Sequence, residues 1–444
     1  MTHLKPNNTT SDENFTIFNS PNNNSRKPHT SHTYRKYDIY TGSQSHIESY
    51  AKSHTKYIYF DHSATTPVLP EVIEEMNKCF TLYYGNASEP HKPGREAKEI
   101  LENSRNIIAK SLGAKPEEIV FTSGGTESDN LALFGVAEAY QKKGNHIITS
   151  EIEHPAVHMP LKKLARKGFK ITYIPVDKYG IVDPQDIKKA ITPKTILVSI
   201  MHANNIVGTI QPIEEIGKIL KEAGIVFHTD AVQSYCTIET NVEKLNVDLL
   251  SISGHKIYGP KGVGVLYIRK GTKMMPQILG GGHEKGRRSG TENIPGIAGL
   301  AKAVELGQKN LSQKGEKIRI LRDYLKKELL RRIDDVSFNG HPTKRLPGNL
   351  NFSFKYIEGE SIVLRLDDAG IAVSSGSACS SSSLKPSHTL VAMGLSPEDA
   401  AGSIRITLGF ENTKEEVDYF LDVIPGIVES LRRISPLFKV KGHN

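Results

Sequence analysis

Short apolar runs and amphipathic runs alternate along most of this chain, and this alternation restricts the fold more than any other feature. The strand-like runs between about residues 57 and 270 are 118–122, 146–150, 170–175, 195–201, 225–229, 248–252 and 263–268. The helix-like runs between them include 126–142, 155–167, 184–190 and 212–223. Such alternation is typical of a mostly parallel sheet with helices on both faces. The pattern therefore predicts an α/β fold with a seven-stranded sheet.

Composition and linkers divide the chain into three predicted parts. Residues 1–55 are rich in Asn, Ser, Thr and His, and such a segment buries too little apolar surface to offset the entropy of ordering. We expect this extension to be disordered. A large domain is predicted over 56–315, with its N-terminal segment contributing to a small α+β domain over 316–444. A helical stretch, 294–333, follows a glycine-rich link near 280–283.

The bulk composition argues against several classes of protein. Hydrophobic residues make up 37% of the chain and charged residues 24%, which is ordinary for a soluble globular protein. No apolar run approaches the ~18 residues of a membrane span. The formal net charge of +8 is spread along helix-like segments, which indicates solvated faces and gives no specific sign of nucleic acid.

Cysteine usage bears on the compartment. Three cysteines form no disulfide framework and lack the spacing of a zinc site, so we expect no metal site and a reducing compartment. The N-terminal extension lacks the apolar core of a secretory signal. A cytoplasmic location is expected, although the extension leaves organellar targeting open.

An acid and a lysine follow two of the predicted strands. Asp230 ends the run 225–230, and Lys256 follows the run 248–252 about 25 residues later. Residues just past such strands converge at one edge of a parallel sheet. This pair suits pyridoxal phosphate, because a lysine amine forms the Schiff base and a carboxylate keeps the pyridine nitrogen protonated. Either residue alone would more often be an ordinary loop residue.

A glycine turn follows another predicted strand. The segment Thr122–Ser128 leads from an apolar run into an amphipathic run. A strand, a glycine turn and a helix start form an anion cradle, because free N–H groups and the helix dipole point toward a phosphate. The same residues also form an ordinary helix cap. Together with Asp230 and Lys256, the turn favours phosphate binding.

A longer ordered set of motifs runs from about Tyr57 to Phe438. Its members are Tyr59–Pro67, Gly85–Ser88, Thr122–Glu127, Glu151–His154, Asn204–Gly208, His228–Gln233, Ser253–Lys256, Gly281–Glu284 and Arg288–Thr291. The set resembles the cysteine desulfurases, within the class V aminotransferases, and so implies the type I fold of pyridoxal-phosphate-dependent transferases.

The resemblance implies a role for each matching residue. Lys256 would carry the cofactor, Asp230 would meet its ring nitrogen, and His154 would stack on the ring and transfer protons. Asn205 and Gln233 would contact the polar ring substituents, and Asn205 would also bind substrate. The phosphate would be held by Gly125, Thr126, Ser253 and His255.

Two further residues complete the implied site. Thr291 would reach the phosphate of a second subunit, which implies a homodimer. Arg405 matches the arginine that binds the substrate carboxylate, and a planar guanidinium suits that group.

Cys379 bears on the choice of reaction. It lies in a small, polar, serine-rich stretch, 374–383, that is a good candidate for a mobile loop. The resemblance implies that its thiol attacks the substrate sulfur to give a persulfide and alanine, and leaves room for contact with a nascent iron–sulfur cluster. Cys79 and Cys236 better fit the pattern of buried small residues.

These observations predict a homodimeric, pyridoxal-phosphate-dependent L-cysteine desulfurase. The loop and the following segment, Leu384–His388, resemble the branch that serves iron–sulfur cluster assembly, so a scaffold protein or another sulfur acceptor is the expected partner. Selenocysteine lyase or another enzyme of the same fold remains an alternative. A non-catalytic interaction protein on this fold is the alternative from another class.

Overall fold

A computed structural model describes residues 57–375 and 386–439. The expected disorder of residues 1–55 and the predicted role of Cys379 concern residues outside this described part. The strands are β1 Ile58–Tyr59, β2 Ile119–Thr122, β3 His146–Ser150, β4 Lys170–Ile174, β5 Thr195–Ser199, β6 Val226–Asp230, β7 Leu249–Ser253, β8 Gly264–Ile268, β9 Val336–Phe338, β10 Asn349–Phe354, β11 Ile371–Ala372, β12 Ser374–Ser375 and β13 Ser403–Thr407.

Helices connect and cover these strands. They are α1 Pro70–Thr81, α2 Lys92–Leu112, α3 Gly125–Tyr140, α4 Pro155–Arg166, α5 Pro184–Ala190, α6 Ile213–Ala223, α7 Val242–Leu245, α8 Ile294–Gln308, α9 Leu311–Arg332, α10 Gly359–Asp368, α11 His388–Ala392, α12 Pro397–Ala401, α13 Lys414–Ile434 and α14 Pro436–Lys439. No helix within the described ranges is long and apolar enough to cross a membrane.

The larger sheet has seven strands in the order β2-β8-β7-β6-β5-β3-β4. Its pairs from β4 through β7 are parallel, whereas β8 runs antiparallel to both β7 and β2. This arrangement confirms the predicted mostly parallel α/β sheet. It also brings the ends of β6 and β7, with Asp230 and Lys256, to the same edge.

Adjacent residues of the central strands enter different apolar layers. Ile147 and Leu197 pack with α3 and α4, whereas their neighbours Ile148 and Val198 pack on the opposite face with α1, α2, α6 and α8. Side chains alternate between the faces of a strand, so both faces of this sheet are covered. A strand buried on both faces is apolar without alternation, which is why the sequence showed continuous short runs.

A second, antiparallel sheet has the order β12-β13-β10-β9. Helices α9, α10 and α13 pack around it, with Phe352, Ile404 and Phe420 fully buried in this layer. The first strand of the described chain, β1, pairs with β11 beside this layer. The domain boundaries near residues 55 and 315 stay a prediction.

Candidate active site

Ten of the residues predicted from the sequence line one cavity of about 300 Å³. They are Gly125, Thr126, His154, Asn205, Asp230, Gln233, Ser253, His255, Lys256 and Arg405. Residues from five strand ends and loops, and from the middle of β13, thus meet at one place, although Gly125 and Arg405 lie 280 positions apart in the chain. A volume of this size falls at the lower end of the range for small-molecule sites.

Asp230 ends β6 and is almost completely buried, with 6% of its surface exposed. Its Oδ1 accepts a hydrogen bond from the Val232 N–H at 2.9 Å. Burial raises the pKa of Asp230 to about 6, whereas the Val232 N–H and the charge of Lys256 act in the opposite direction. A buried carboxylate of this kind can balance a cationic ring nitrogen.

Lys256 lies in the short 3₁₀ turn that follows β7. Its Nζ donates to the carbonyl oxygens of Ser63 at 2.5 Å and Ala64 at 2.7 Å. Gln233 also donates from Nε2 to the Ser63 carbonyl, at 3.0 Å. The segment around Ser63 therefore holds the amine at the cavity wall.

The glycine turn places a helix start against the cavity. Gly124 has φ +151°, a conformation that side chains rarely adopt, and α3 begins at the next residue. A Cβ on Gly125 would lie 2.6 Å from Val232 Cγ2, so glycine allows the start of α3 to pack closely against the Val232 side chain. Helix starts leave their first N–H groups without intrahelical partners, so those of α3 can bind an anion.

His154 caps α4, and its Nδ1 accepts the Ala156 N–H at 3.1 Å. This hydrogen bond places the proton of the neutral ring on Nε2. Burial first, and then the nearby Lys256, His388 and His158, lower the pKa of His154 to about 4. The ring is therefore neutral at physiological pH and can stack on an aromatic group.

Arg405 lies in the middle of β13 and is 2% exposed. Its Nη2 donates to Asp61 Oδ1 at 2.7 Å, and its Nη1 donates to the Asn205 carbonyl at 3.1 Å. The buried Nε has no hydrogen-bond partner among the described residues. The guanidinium is thus held by two partners, and Nη1 and Nη2 each keep a second N–H that can serve a group bound in the cavity that Arg405 lines.

Two predicted residues are not among those lining the cavity. Thr291 is exposed and is not one of the residues that line the cavity. Cys379 lies outside the described residues. The described neighbours of its segment are close to the site, since Ser374 pairs with Arg405, and His388 Nε2 lies 3.0 Å from the Glu153 carbonyl.

Several residues of the site were not predicted from the sequence. Asp61, Ser63 and Ala64 lie within the motif Tyr59–Pro67, which was noted without a role, and Asp129 lies one helical turn after Thr126. Ser63, Ala64 and Asp129 line the cavity, and Asp61 contacts it through Arg405. For Asp129 alone the sequence held a signal, because a residue one helical turn after the glycine turn lies near the predicted phosphate site.

The residues present fit pyridoxal phosphate. The glycine turn can approach a phosphate closely, Asp230 is a buried acid, and Lys256 supplies an amine at the neighbouring strand end. The guanidinium of Arg405, which lines the cavity, suits the carboxylate of a bound amino acid. Within the described part of the chain, no group of three or more His, Cys, Asp or Glu side chains could hold a metal ion.

Known proteins resemble this chain over most of its length. Residues 58–420 match the family Aminotransferase class-V. The chain is 56% identical to cysteine desulfurase IscS of Dictyoglomus turgidum over 379 residues, which are 85% of this chain and 96% of that protein. It is 53% identical to cysteine desulfurase IscS of Methanosarcina thermophila over 382 residues, covering 86% of this chain and 94% of that protein.

Solved structures share this fold. A NifS-like protein superposes with a TM-score of 0.80 at 44% identity, covering 84% of this chain and 100% of that chain. The protein SspA in complex with cysteine superposes with a TM-score of 0.72 at 38% identity, covering 80% of this chain and 100% of that chain.

Proposed function

Because this chain belongs to the class-V aminotransferases and, within them, to the cysteine desulfurases, we propose that its cavity converts L-cysteine to L-alanine and passes the sulfur to Cys379. The enzyme depends on pyridoxal phosphate. The observation that carries this proposal is the convergence of Lys256, Asp230, the glycine turn and Arg405 on one cavity.

The chain's own residues divide the work between cofactor and substrate. When bound, pyridoxal phosphate supplies an electron sink for the electron pair at the substrate Cα. Lys256 would hold the cofactor covalently, and Asp230 would keep a negative charge at its ring nitrogen. The N–H groups after Gly124 would hold the phosphate, and His154 would carry a proton on Nε2.

Substrate binding falls to Arg405, with Asn205 beside it. The guanidinium presents donors to the substrate carboxylate from a buried position, where a charged hydrogen bond is stronger than in water. Asp61 holds the guanidinium through the hydrogen bond from Nη2. The amino acid is thereby oriented by its carboxylate while its side chain remains free to meet a nucleophile.

Cys379, which follows β12 in the sequence, would complete the reaction. Its thiolate attacks the substrate sulfur, the substrate carbon–sulfur bond breaks, and a sulfur–sulfur bond forms on Cys379. The carbon takes up a proton, so that cysteine and one thiol become alanine and one persulfide. Two equivalents of an external thiol then reduce the persulfide, so that sulfide is released, the Cys379 thiol is regenerated and the external thiols leave as their disulfide.

A direct assay tests the proposed function. The purified protein is incubated with L-cysteine and an excess of thiol, and sulfide and alanine are measured together. We expect the two products in equal amounts. Selenocysteine consumed without cysteine turnover would support a lyase, amino transfer to a keto acid would support an aminotransferase, and a protein that binds no cofactor would support an interaction role.

Removal of Asp61 tests how Arg405 is held. Asp61→Ala is expected to raise KM for L-cysteine about tenfold, or ~1.4 kcal/mol, with kcat changed less than about threefold. The physical reason is that Arg405 loses the hydrogen bond that fixes its guanidinium. Asp186→Ala, which removes an exposed aspartate of α5, is the control and should leave KM unchanged. An unchanged KM in Asp61→Ala would show that Arg405 needs no such support.

We further propose that the active unit is a homodimer in which Thr291 serves the phosphate of the partner subunit. The exposure of Thr291, away from its own cavity, supports this arrangement. Mixing Thr291→Ala with Lys256→Ala subunits gives mixed dimers with one doubly defective and one intact site. An equal mixture should regain about a quarter of wild-type activity. No gain despite proven subunit exchange would contradict sharing.

The onward acceptor of the sulfur is also a proposal. The IscS names of the relatives favour iron–sulfur cluster assembly, and hence a scaffold protein as a partner. A cytoplasmic location stays a prediction.

A further inference from the structure

A second carboxyl group, Asp129, borders the same cavity as Asp230. It lies on α3, about one turn after the glycine turn, and is 1% exposed. Its Oδ1 is buried without a hydrogen-bond partner among the described residues. Two carboxyl groups in one desolvated region cannot both ionise readily, so the location of the negative charge has to be decided by their neighbours.

The histidine beside Asp129 gives it no positive charge. His228 lies two residues before Asp230 on β6, and its Nε2 is 3.5 Å from Asp129 Oδ1. Serine hydroxyls lie at both ring nitrogens, Ser199 Oγ at 2.9 Å and Ser251 Oγ at 3.0 Å. Burial lowers the pKa of His228 to about 3, so the ring is neutral in the working range of pH.

A third buried acid adds to the crowding. Glu153 accepts from the Ser150 hydroxyl at 2.6 Å and the Met201 N–H at 3.0 Å, both at Oε1. Burial raises the pKa of Glu153 to about 8, so this group is largely protonated at neutral pH. The titratable groups around Asp129 are thus His228 and Asp230 on β6, Glu153 after β3 and Lys256 after β7.

The partners of the two aspartates are unequal. Asp230 has the Val232 N–H and the nearby cation Lys256, which both favour its charged form. Asp129 pairs with no cation among the described residues, because His228 is neutral and Lys256 is not one of the groups that shift the pKa of Asp129. Burial first and then the charge of Asp230 raise the pKa of Asp129 well above its ordinary range, and only the Ser251 hydroxyl opposes this.

We propose that Asp129 is a positioning residue that keeps its proton in the working enzyme and so leaves Asp230 as the one ionised carboxylate of the pair. This inference rests on the proposed function, since it concerns the charge offered to the cofactor ring nitrogen. An ionised Asp129 would place a second negative charge in the same buried region. It would also favour a proton on Asp230, which would weaken the pairing with the ring.

Infrared difference spectroscopy on the full-length, cofactor-loaded protein tests the proton on Asp129. The difference between wild type and Asp129→Asn at neutral pH should contain the carbonyl band of a protonated acid, shifted in D₂O. Asp230→Asn is the matched control and should remove a carboxylate band instead. A carboxylate band lost from Asp129→Asn would overturn the proposal.

The pH dependence of stability separates a proton from a purely structural role. A folded acid with a raised pKa retains a proton that the unfolded chain releases, so its contribution to stability declines as pH rises above the unfolded value of about 4. Relative to Asp129→Asn, the wild-type folded-to-unfolded ratio should therefore fall by up to about tenfold per pH unit between pH ~5 and ~7. A difference that is constant with pH would contradict the proposal.

Labelling protects the test against a variant that does not fold. Wild-type protein with ¹³C-aspartate should show a protonated aspartate band at neutral pH, and the label separates this band from that of Glu153. Absence of the labelled acid band would overturn the proposal. Neither spectrum requires turnover, so an acid band in a protein that releases no sulfide would support Asp129 as described and count against the proposed function.

Discussion

Alanine formation is expected to fall by about ten-thousandfold or more when Lys256 is replaced by alanine, because the group that holds the cofactor covalently and moves protons at the substrate is lost. The amine of Lys256, which follows β7, is held by the carbonyl oxygens of Ser63 and Ala64. Alanine is measured by chromatography, and bound cofactor by visible absorbance. The variant should still retain some cofactor, because the glycine turn that is proposed to hold the phosphate is intact.

The lysine assignment has a close control in the same loop. Lys261 is exposed, five residues further on, and Lys261→Ala should keep cofactor and turnover. Borohydride reduction of the wild type, followed by peptide mapping, should place the pyridoxyl group on Lys256. A label on another lysine, or substantial turnover by Lys256→Ala, would show that the assignment is wrong.

Sulfide release is expected to fall at least about a thousandfold in Cys379→Ser, with the cofactor colour retained. A serine hydroxyl is almost wholly protonated at neutral pH and is a poor nucleophile toward sulfur, whereas a thiolate suits it. The variant should still change its spectrum when cysteine is added, because Lys256, Asp230 and the cradle are intact. After one turnover, mass spectrometry of the wild type should find one additional sulfur on Cys379.

The other two cysteines provide the controls for this prediction. Burial raises the pKa of Cys79 to about 11 and that of Cys236 to about 12, so neither forms a thiolate at neutral pH. Cys79→Ala and Cys236→Ala should therefore release sulfide at nearly the wild-type rate. Near-normal release by Cys379→Ser would contradict the proposed role of Cys379 as the nucleophile, and would favour another reaction known for enzymes of this fold.

The central sheet could be predicted from the sequence because its strands are buried on both faces. Each strand then appears as a short apolar run between helix-like segments, and the predicted run 146–150 coincides with β3. Asp230 and Lys256 could be paired for the same reason, since the ends of neighbouring parallel strands meet at one edge. The two helices before β2, α1 and α2, lie outside this alternation and were not predicted.

Contacts between distant parts of the chain could not be predicted in this way. Asp61 and Arg405 form an ion pair although they are 344 positions apart, and no local pattern indicates that pairing. Asp129 is one of several polar residues in a helix-like run, and nothing local distinguishes it. Its role depends on its contact with His228 and on the charge of Asp230, both on β6. The sequence can thus predict which residues lie at the shared edge of the sheet. It cannot predict which partners hold each side chain, because those contacts depend on tertiary packing.

The pairing of β1 with β11, together with the ion pair between Asp61 and Arg405, has a consequence for biosynthesis. The last strand of the seven-stranded sheet ends at Ile268, so the residues proposed for the cofactor leave the ribosome well before Arg405 does. Domains fold largely in the order of their synthesis, and long-range contacts form slowly. The nascent chain would therefore complete its larger sheet first, and would recognise an amino acid only after β11 had paired with β1 and Arg405 had reached Asp61.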